Sequence, residues 1–236
     1  MTNIKIGIIG GNGVAATNKL NDLIEIELTK NGAFRDCHHP EIIIWQATKS
    51  PSRSMYLEGR GESFIPDYIK IAKLLKQCGA TDICMCCNTA HYAIDEIATA
   101  ADVHMINLIE EVAKKVKSMS LKSVGLMVSD GCIKHKIYDK YFNKICPNVE
   151  IIYPDPEYQS LVTKGICNVK NKHRFDDEKS ADNPELLFKQ VSEHLKSKGA
   201  QKVISGCTDI RVCYYDKNEI CSLEILKDVI IEKCKD

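Results

Sequence analysis

The chain has 236 residues, 44% of them hydrophobic, enough to bury a sizeable core as one large domain or as two of roughly 110 residues each. Lysine plus arginine and aspartate plus glutamate stand at 32 each, so no global field draws the chain to nucleic acid or an anionic membrane, and the expected partner is a small molecule. No run of about 18 apolar residues occurs, and Met1-Thr2-Asn3-Ile4-Lys5 leads into a strand pattern without the apolar core of a signal peptide, so the expected location is cytoplasmic.

In that compartment the twelve cysteines are expected to remain thiols, most of them acting as small buried hydrophobes. Ile4 to Ile9 reads as a compact apolar strand, Gly10-Gly11-Asn12-Gly13 as a turn, and Ala15 to Lys30 as a helix: the opening of a parallel α/β domain. The turn also fits the dinucleotide pattern G-x-G-x-x-A. The next strand, Glu41 to Gln46, however, ends in glutamine where a ribose-binding carboxylate is expected, which favours a glycine turn that brings backbone amides close to a small ligand. Arg53 follows in a loop at that strand's carboxyl end, either as a solvated surface charge or as a bidentate partner for a carboxylate. A helix is expected over Pro66 to Gln77.

The stretch Thr81 to Cys86 reads as a buried strand that ends in Cys87-Asn88-Thr89-Ala90-His91. The turn offers a thiol, an amide and a hydroxyl in succession, followed by helix amides suited to an anion. His91 either orients that turn or caps it. Cys84-x-x-Cys87 could be a redox pair or half a metal site, but no second closely spaced Cys/His pair accompanies it, so no metal is expected and Cys84 and Cys86 read as strand packing. Helix Tyr92 to Ala101, strand His104 to Asn107 and helix Leu108 to Met119 complete the first half.

The second half restarts at Ser123 to Val128 with the turn Ser129-Asp130-Gly131. A helix over Tyr138 to Ile145, a strand over Val149 to Ile152, and a helical stretch over Tyr158 to Thr163 before Lys164-Gly165 follow. The polar segment 168–183 reads as an exposed loop or frayed helix, or as a mobile cover over a site. Helix Pro184 to Lys198 then leads into Val203-Ile204-Ser205-Gly206-Cys207-Thr208-Asp209, a second strand running into Cys-Thr. Gly7 and Cys87 lie 80 positions apart, Gly125 and Cys207 lie 82 apart, and laying Gly7 over Gly125 puts Asn12 over Asp130. The expected architecture is therefore α/β with two pseudo-symmetric duplicated domains, 1–118 and 119–236, each a mostly parallel sheet flanked by helices. A final helix over 222–235 can pack on either domain.

A racemase removes a proton from one face of a tetrahedral carbon and returns one to the other, so it needs an ionised and a protonated group on opposite sides. Two cysteines at equivalent turns of duplicated domains meet that need, and thiols can be brought near neutrality by modest positive potential. Together, Ile6 to Gly13, Cys87 to His91 and Gly206 to Asp209 resemble the cofactor-independent aspartate/glutamate racemase family, its aspartate racemase branch in particular, over nearly the whole chain.

That resemblance implies a homodimeric enzyme, its site in the cleft between the two domains, acting on an acidic amino acid without pyridoxal phosphate or any other cofactor. Cys87 and Cys207 would be the bases, and Asn12, Asn88, Thr89 and Thr208 would hold the α-amino acid group. Arg53 and Lys164 would recognise the side-chain carboxylate, with His91 and Asp209 in support. The chain departs from the family pattern where Gly-Gly-Asn-Gly-Val-Ala replaces Gly-Gly-Met-Gly-Pro-Glu, where Asp209 replaces Glu, and where Ser-Pro-Ser precedes Arg53. Retention of both cysteines argues against the single-cysteine decarboxylases of the superfamily; its other activities (hydantoin racemase or cis-trans isomerase) and a catalytically silent amino-acid-binding protein remain as alternatives.

Overall fold

The computed structural model describes residues 5–234, so the readings that touch Met1 to Ile4 and Lys235 lie outside the described residues. The opening apolar run forms β1 (Lys5–Gly10), followed by α1 (Val14–Lys30), β2 (Glu41–Gln46), α2 (Arg53–Leu57), α3 (Ile65–Gln77), β3 (Asp82–Met85), a 3-10 segment (Thr89–Ala93), α4 (Ile94–Ala101) and β4 (His104–Ile106). These strands make one parallel sheet in the order β2-β1-β3-β4. Parallel neighbours need crossover helices that cover both faces, and the central strands accordingly read as unbroken apolar runs.

The chain continues through α5 (Leu108–Ser118) into β5 (Ser123–Met127), α6 (Asp130–Lys134), α7 (Ile137–Ile145), β6 (Glu150–Ile152), α8 (Pro156–Val169), α9 (Pro184–Ser197), β7 (Lys202–Ser205), α10 (Ile210–Cys213), β8 (Ile220–Cys221) and α11 (Ser222–Lys233). Its sheet is again fully parallel, in the order β6-β5-β7-β8. Each sheet thus places its first strand second in line, beside its third.

Packing repeats the duplication residue by residue. A Cβ on Gly7 would lie 3.1 Å from the Ala80 Cβ and 3.3 Å from that of Leu75; one on Gly125 would lie 3.2 Å from the Ala200 Cβ and 2.8 Å from that of Leu195. Both strands need a bare backbone there so that the helix preceding the cysteine strand can close down. In the first core, α3 contributes Tyr68, Ile71 and Leu75 beside Ile9 and Met85. In the second, α9 contributes Phe188, Val191 and Leu195 beside Met127 and Val203.

The chain divides between Leu108 and Ile109: residues up to Leu108 together with those from Leu223 form one compact unit, and Ile109–Ser222 the other. Leu223, Leu226 and Ile230 of α11 are fully buried, and the helix is tied to the first unit by Lys233 Nζ to Asp82 Oδ1 at 2.8 Å and by Lys227 Nζ to Glu27 Oε2 at 3.6 Å.

Several local expectations are corrected. Arg53 begins the short helix α2 rather than lying in a loop, because the Ser52 hydroxyl caps it by accepting from the Met55 N–H at 3.3 Å. Helix α8 runs on through Lys164-Gly165 to Val169, since Gly165 provides the room that the Phe188 ring takes up, 2.6 Å from where a Cβ would lie. Asn168 is therefore helical and buried rather than part of an exposed loop. α6, α10 and β8 are too short for a periodic pattern to reveal. Among the described residues, no helix is long and apolar enough to cross a membrane.

Leu226→Ala should cost roughly 2–5 kcal/mol, the cost of a cavity left by a fully buried leucine. A urea titration should show a lower midpoint, and hydrogen exchange should show the added opening in the first unit's amides rather than across residues 109–222.

Candidate active site

Both cysteine turns begin on a carbonyl of the first strand in their sheet. The Cys86 N–H donates to Ile9 O at 3.1 Å, and the Gly206 N–H to Met127 O at 2.9 Å. Cys87 and Cys207 each lie two residues beyond the last residue of their strand, Met85 and Ser205. This is the carboxyl end of a parallel sheet, where open α/β folds bind ligands. Both cysteines are half-buried, whereas Cys84 and Cys86 are wholly buried. Burial pushes the Cys84 thiol up to about 12, which keeps it protonated and assigns it to packing, and burial also raises Cys146, Cys213 and Cys234. All twelve cysteines stand as thiols.

The two turns lead into different elements, and the 3-10 segment after the first runs directly into α4, close to the expected helix Tyr92 to Ala101. After Cys87 comes the five-residue 3-10 segment Thr89–Ala93, and after Cys207 the four-residue α10.

His91 is wholly enclosed and its tautomer follows from its partners. Nε2 lies 3.1 Å from the Leu108 N–H, which can only donate, so Nε2 accepts and Nδ1 carries the proton that it donates to Cys87 O at 2.9 Å. Burial is the main reason its pKa falls to about 4, against the opposing backbone hydrogen bonds. The ring is thus a neutral brace between the Cys87 carbonyl and the first residue of α5. Asn88, Thr89 and Thr208 are buried in the same two turns.

At the first glycine turn, the Asn12 carboxamide is spent inside the unit. Nδ2 donates to Ile9 O at 3.3 Å and Oδ1 accepts from the Tyr68 hydroxyl. Arg53 reaches the same turn, with Nη2 donating to Asn12 O at 3.0 Å and Nη1 to Pro51 O at 3.2 Å. The structure therefore brings Asn12 and Arg53 together, joined through Asn12's main chain.

In the second unit, Lys164 Nζ lies 2.7 Å from Asp182 Oδ1 and 3.3 Å from Ala181 O. Asp209 is almost wholly buried and pairs through Oδ2 with Lys170 Nζ at 3.0 Å. The segment 168–183 is pinned from within. Asn168 Nδ2 donates to Asp182 O at 2.6 Å, Asn183 Nδ2 to Asp176 O at 3.0 Å, and a 3-10 turn spans Lys172–Phe175. His173, Asp176 and Asp182 bring donor atoms within 4.8 Å of one another, but Lys164 already neutralises Asp182 and the His173 ring is bonded to Asp176 at 2.7 Å.

Sequence reasoning missed Tyr68, Tyr138 and Lys170. Burial above all keeps Tyr68 a phenol, against the pull of Arg53, and burial does the same for Tyr138. A Cβ on Gly206 would lie 3.0 Å from the Tyr138 hydroxyl. Each cysteine turn therefore has a buried tyrosine close by. The signal available beforehand was the matched helix positions Tyr68 and Phe188, which differ only at the hydroxyl.

A profile of the family described as Asp/Glu/Hydantoin racemase matches residues 6–227. Among curated proteins, the broad specificity amino-acid racemase RacX of Bacillus subtilis (strain 168) is 26% identical over 208 residues, covering 87% of this chain and 85% of that protein. Among solved structures, Picrophilus torridus aspartate racemase superposes with a TM-score of 0.83 at 24% identity, covering 98% of this chain and 94% of that one. An aspartate racemase homologue from Pyrococcus horikoshii OT3 gives 0.70 at 23% identity, covering 98% and 99%. These likenesses establish the fold.

The neutral His91 sets a pH dependence of stability. Its folded pKa of about 4 lies below the ordinary 6.5, so the unfolded chain takes up the proton first and stability falls as pH drops from 6.5 towards 4. The loss should reach about 3 kcal/mol, at 1.36 kcal/mol per pKa unit. Urea unfolding at stepped pH should show it, and His91→Gln should abolish the slope in that window. Asp82, held below its usual 3.8 by Lys233 and His104 against its burial, adds its own loss only under more acid conditions.

Proposed function

This chain belongs to the Asp/Glu/hydantoin racemase family, and we propose that it racemises an amino acid, aspartate first among them, by a two-base thiol mechanism without pyridoxal phosphate. One observation carries the reading. Cys87 and Cys207 occupy equivalent turns of two duplicated sheets, each two residues past its strand and each preceded by a residue whose N–H bonds to the same carbonyl position of the first strand. A packing cysteine has no reason to recur at that place half-exposed, whereas a pair of acid/base groups has.

In the proposed reaction one thiolate takes the α-proton, leaving the electron pair on carbon, while the opposite thiol donates its proton to the other face. One S–H bond forms and one breaks, so the enzyme ends with the roles exchanged, and the mirror-image substrate runs the sequence backwards. The two thiols titrate as one system, because protonating one changes the field at the other. Asn88, Thr89 and Thr208 would hold the substrate's α-carboxylate and ammonium, and His91 would keep the Cys87 carbonyl in place. The Lys170–Asp209 pair would fix the residue two places beyond Cys207.

Arg53 supports a diacid substrate, as a guanidinium fixed beside the first turn. A second reading, a broader specificity, is favoured by Lys164, whose ammonium is already paired with Asp182 at 2.7 Å and so offers less to a substrate carboxylate. Incubating enantiopure amino acids in heavy water separates the two. Aspartate should gain α-deuterium with loss of optical rotation faster than alanine or serine; equal rates would favour the broader reading.

Cys207→Ser and Cys87→Ser should each abolish most racemisation in both directions, since the equilibrium constant between mirror images is one. Each variant should retain weak α-deuterium exchange with retention, for opposite enantiomers. The hydroxyl keeps the thiol's shape but barely ionises near neutrality, so this tests basicity rather than packing. Near-normal racemisation by both variants, or exchange of the same enantiomer by both, would sink the two-base account.

A further inference from the structure

We propose that Tyr68 is a positioning residue that sets where Arg53 is held, and through Arg53 the preference for a second carboxylate on the substrate; the proposal rests on the racemase reading above. Asn12 stands in Gly10-Gly11-Asn12-Gly13, with glycine on both sides and Gly11 at a φ of 75°. A turn so rich in glycine has little stiffness of its own, so the place of the Asn12 carbonyl depends on what anchors its side chain. Two anchors are present. The carboxamide NH2 can only donate and faces Ile9 O, which can only accept, at 3.3 Å. The carboxamide oxygen must therefore face Tyr68, whose hydroxyl must be the donor. Arg53 Nη2 then donates to the carbonyl of this anchored residue at 3.0 Å. The sequence of contacts runs from Tyr68 to Asn12 to the guanidinium.

The Tyr68 ring has a separate job. It packs edge-on to Phe64 at 5.0 Å, and Phe64 meets Tyr56 of α2 at 5.6 Å, so the ring helps to seat the helix that carries Arg53. The second unit isolates the hydroxyl's contribution. Matching Leu75 with Leu195 and Ala80 with Ala200, the neighbours of Gly7 and Gly125, puts Phe188 at the place of Tyr68. Phe188 is equally buried and fills its core without any hydroxyl. Asp130, which matches Asn12, is held instead by Gln159 Nε2 at 2.8 Å and Thr163 Oγ1 at 2.9 Å. Core packing at this position needs only the ring; the hydroxyl serves the Asn12 turn.

Tyr68→Phe tests this, because it makes the first unit like the second and removes one atom. KM for aspartate should rise about tenfold with kcat within about threefold, and kcat/KM for a monocarboxylic amino acid should change by less than about twofold, since only the second carboxylate loses a fixed partner. In an Arg53→Met background, Tyr68→Phe should add no further rise in KM. If Tyr68→Phe fails to fold, Asn12→Leu, which removes both anchors at similar volume, should raise KM for aspartate at least as much, with the larger part of that rise lost in the Arg53→Met background. Equal losses on diacid and monoacid, or a full additional effect on top of Arg53→Met, would overturn the proposal. So would an unmodified chain that racemises monocarboxylic amino acids faster than aspartate, with the racemase reading left standing. An unmodified chain that exchanges the α-proton of no amino acid overturns that reading and this proposal together.

Discussion

One carbonyl, Ile9 O, holds the first unit's functional end together. It accepts the Cys86 N–H at 3.1 Å, which starts the Cys87 turn, and the Asn12 side-chain amide at 3.3 Å, which anchors the glycine turn. Two loops from distant parts of the chain are thereby registered on one atom of the strand between them. Because that strand is stiffened by parallel neighbours on both sides, the two turns inherit its rigidity. Met127 O, the matching atom, receives the Gly206 N–H and does the same for the Cys207 turn. Loops bear the chemistry, but a sheet decides where they begin.

Polar groups around these turns are arranged so that few charges are buried. His91 braces the Cys87 carbonyl as a neutral ring, which suits an enclosed site where an imidazolium would be costly to desolvate and would lose the Leu108 N–H bond. Tyr68 and Tyr138 remain phenols and lend hydrogen-bonding capacity without charge. The buried carboxylate that is retained, Asp209, has Lys170 as its counter-ion.

The polar stretch after α8 belongs to this electrostatic scheme. Its carboxylates take up Lys164 and His173, and its backbone carbonyls take up the amides of Asn168 and Asn183. A composition rich in charge and poor in apolar residues does not require disorder where a basic run (Lys170, Lys172, Arg174) is followed by an acidic one (Asp176, Asp177, Glu178) and the two flanking asparagines are buried.

Much of the architecture was legible in the residues alone, because strands, helices and turns respond to local rules. β2 occupies the expected Glu41–Gln46, and the recurrence of Gly7 at Gly125 and of Cys87 at Cys207 announced two like sheets before any coordinates. The two cysteines stood out because a strand end followed by Cys-Asn-Thr in one half and Cys-Thr in the other recurs at nearly the same distance from its glycine. Short elements such as α2 and β8 escaped, since one turn or two residues cannot display a period. What tertiary structure alone decided is which distant groups meet: Tyr68 with Asn12 across 56 positions, Lys233 with Asp82 across 151, Lys170 with Asp209. No spacing rule encodes such pairs. A hydrogen bond or ion pair depends on where two side chains end in space, and only the packed sheets and helices determine that.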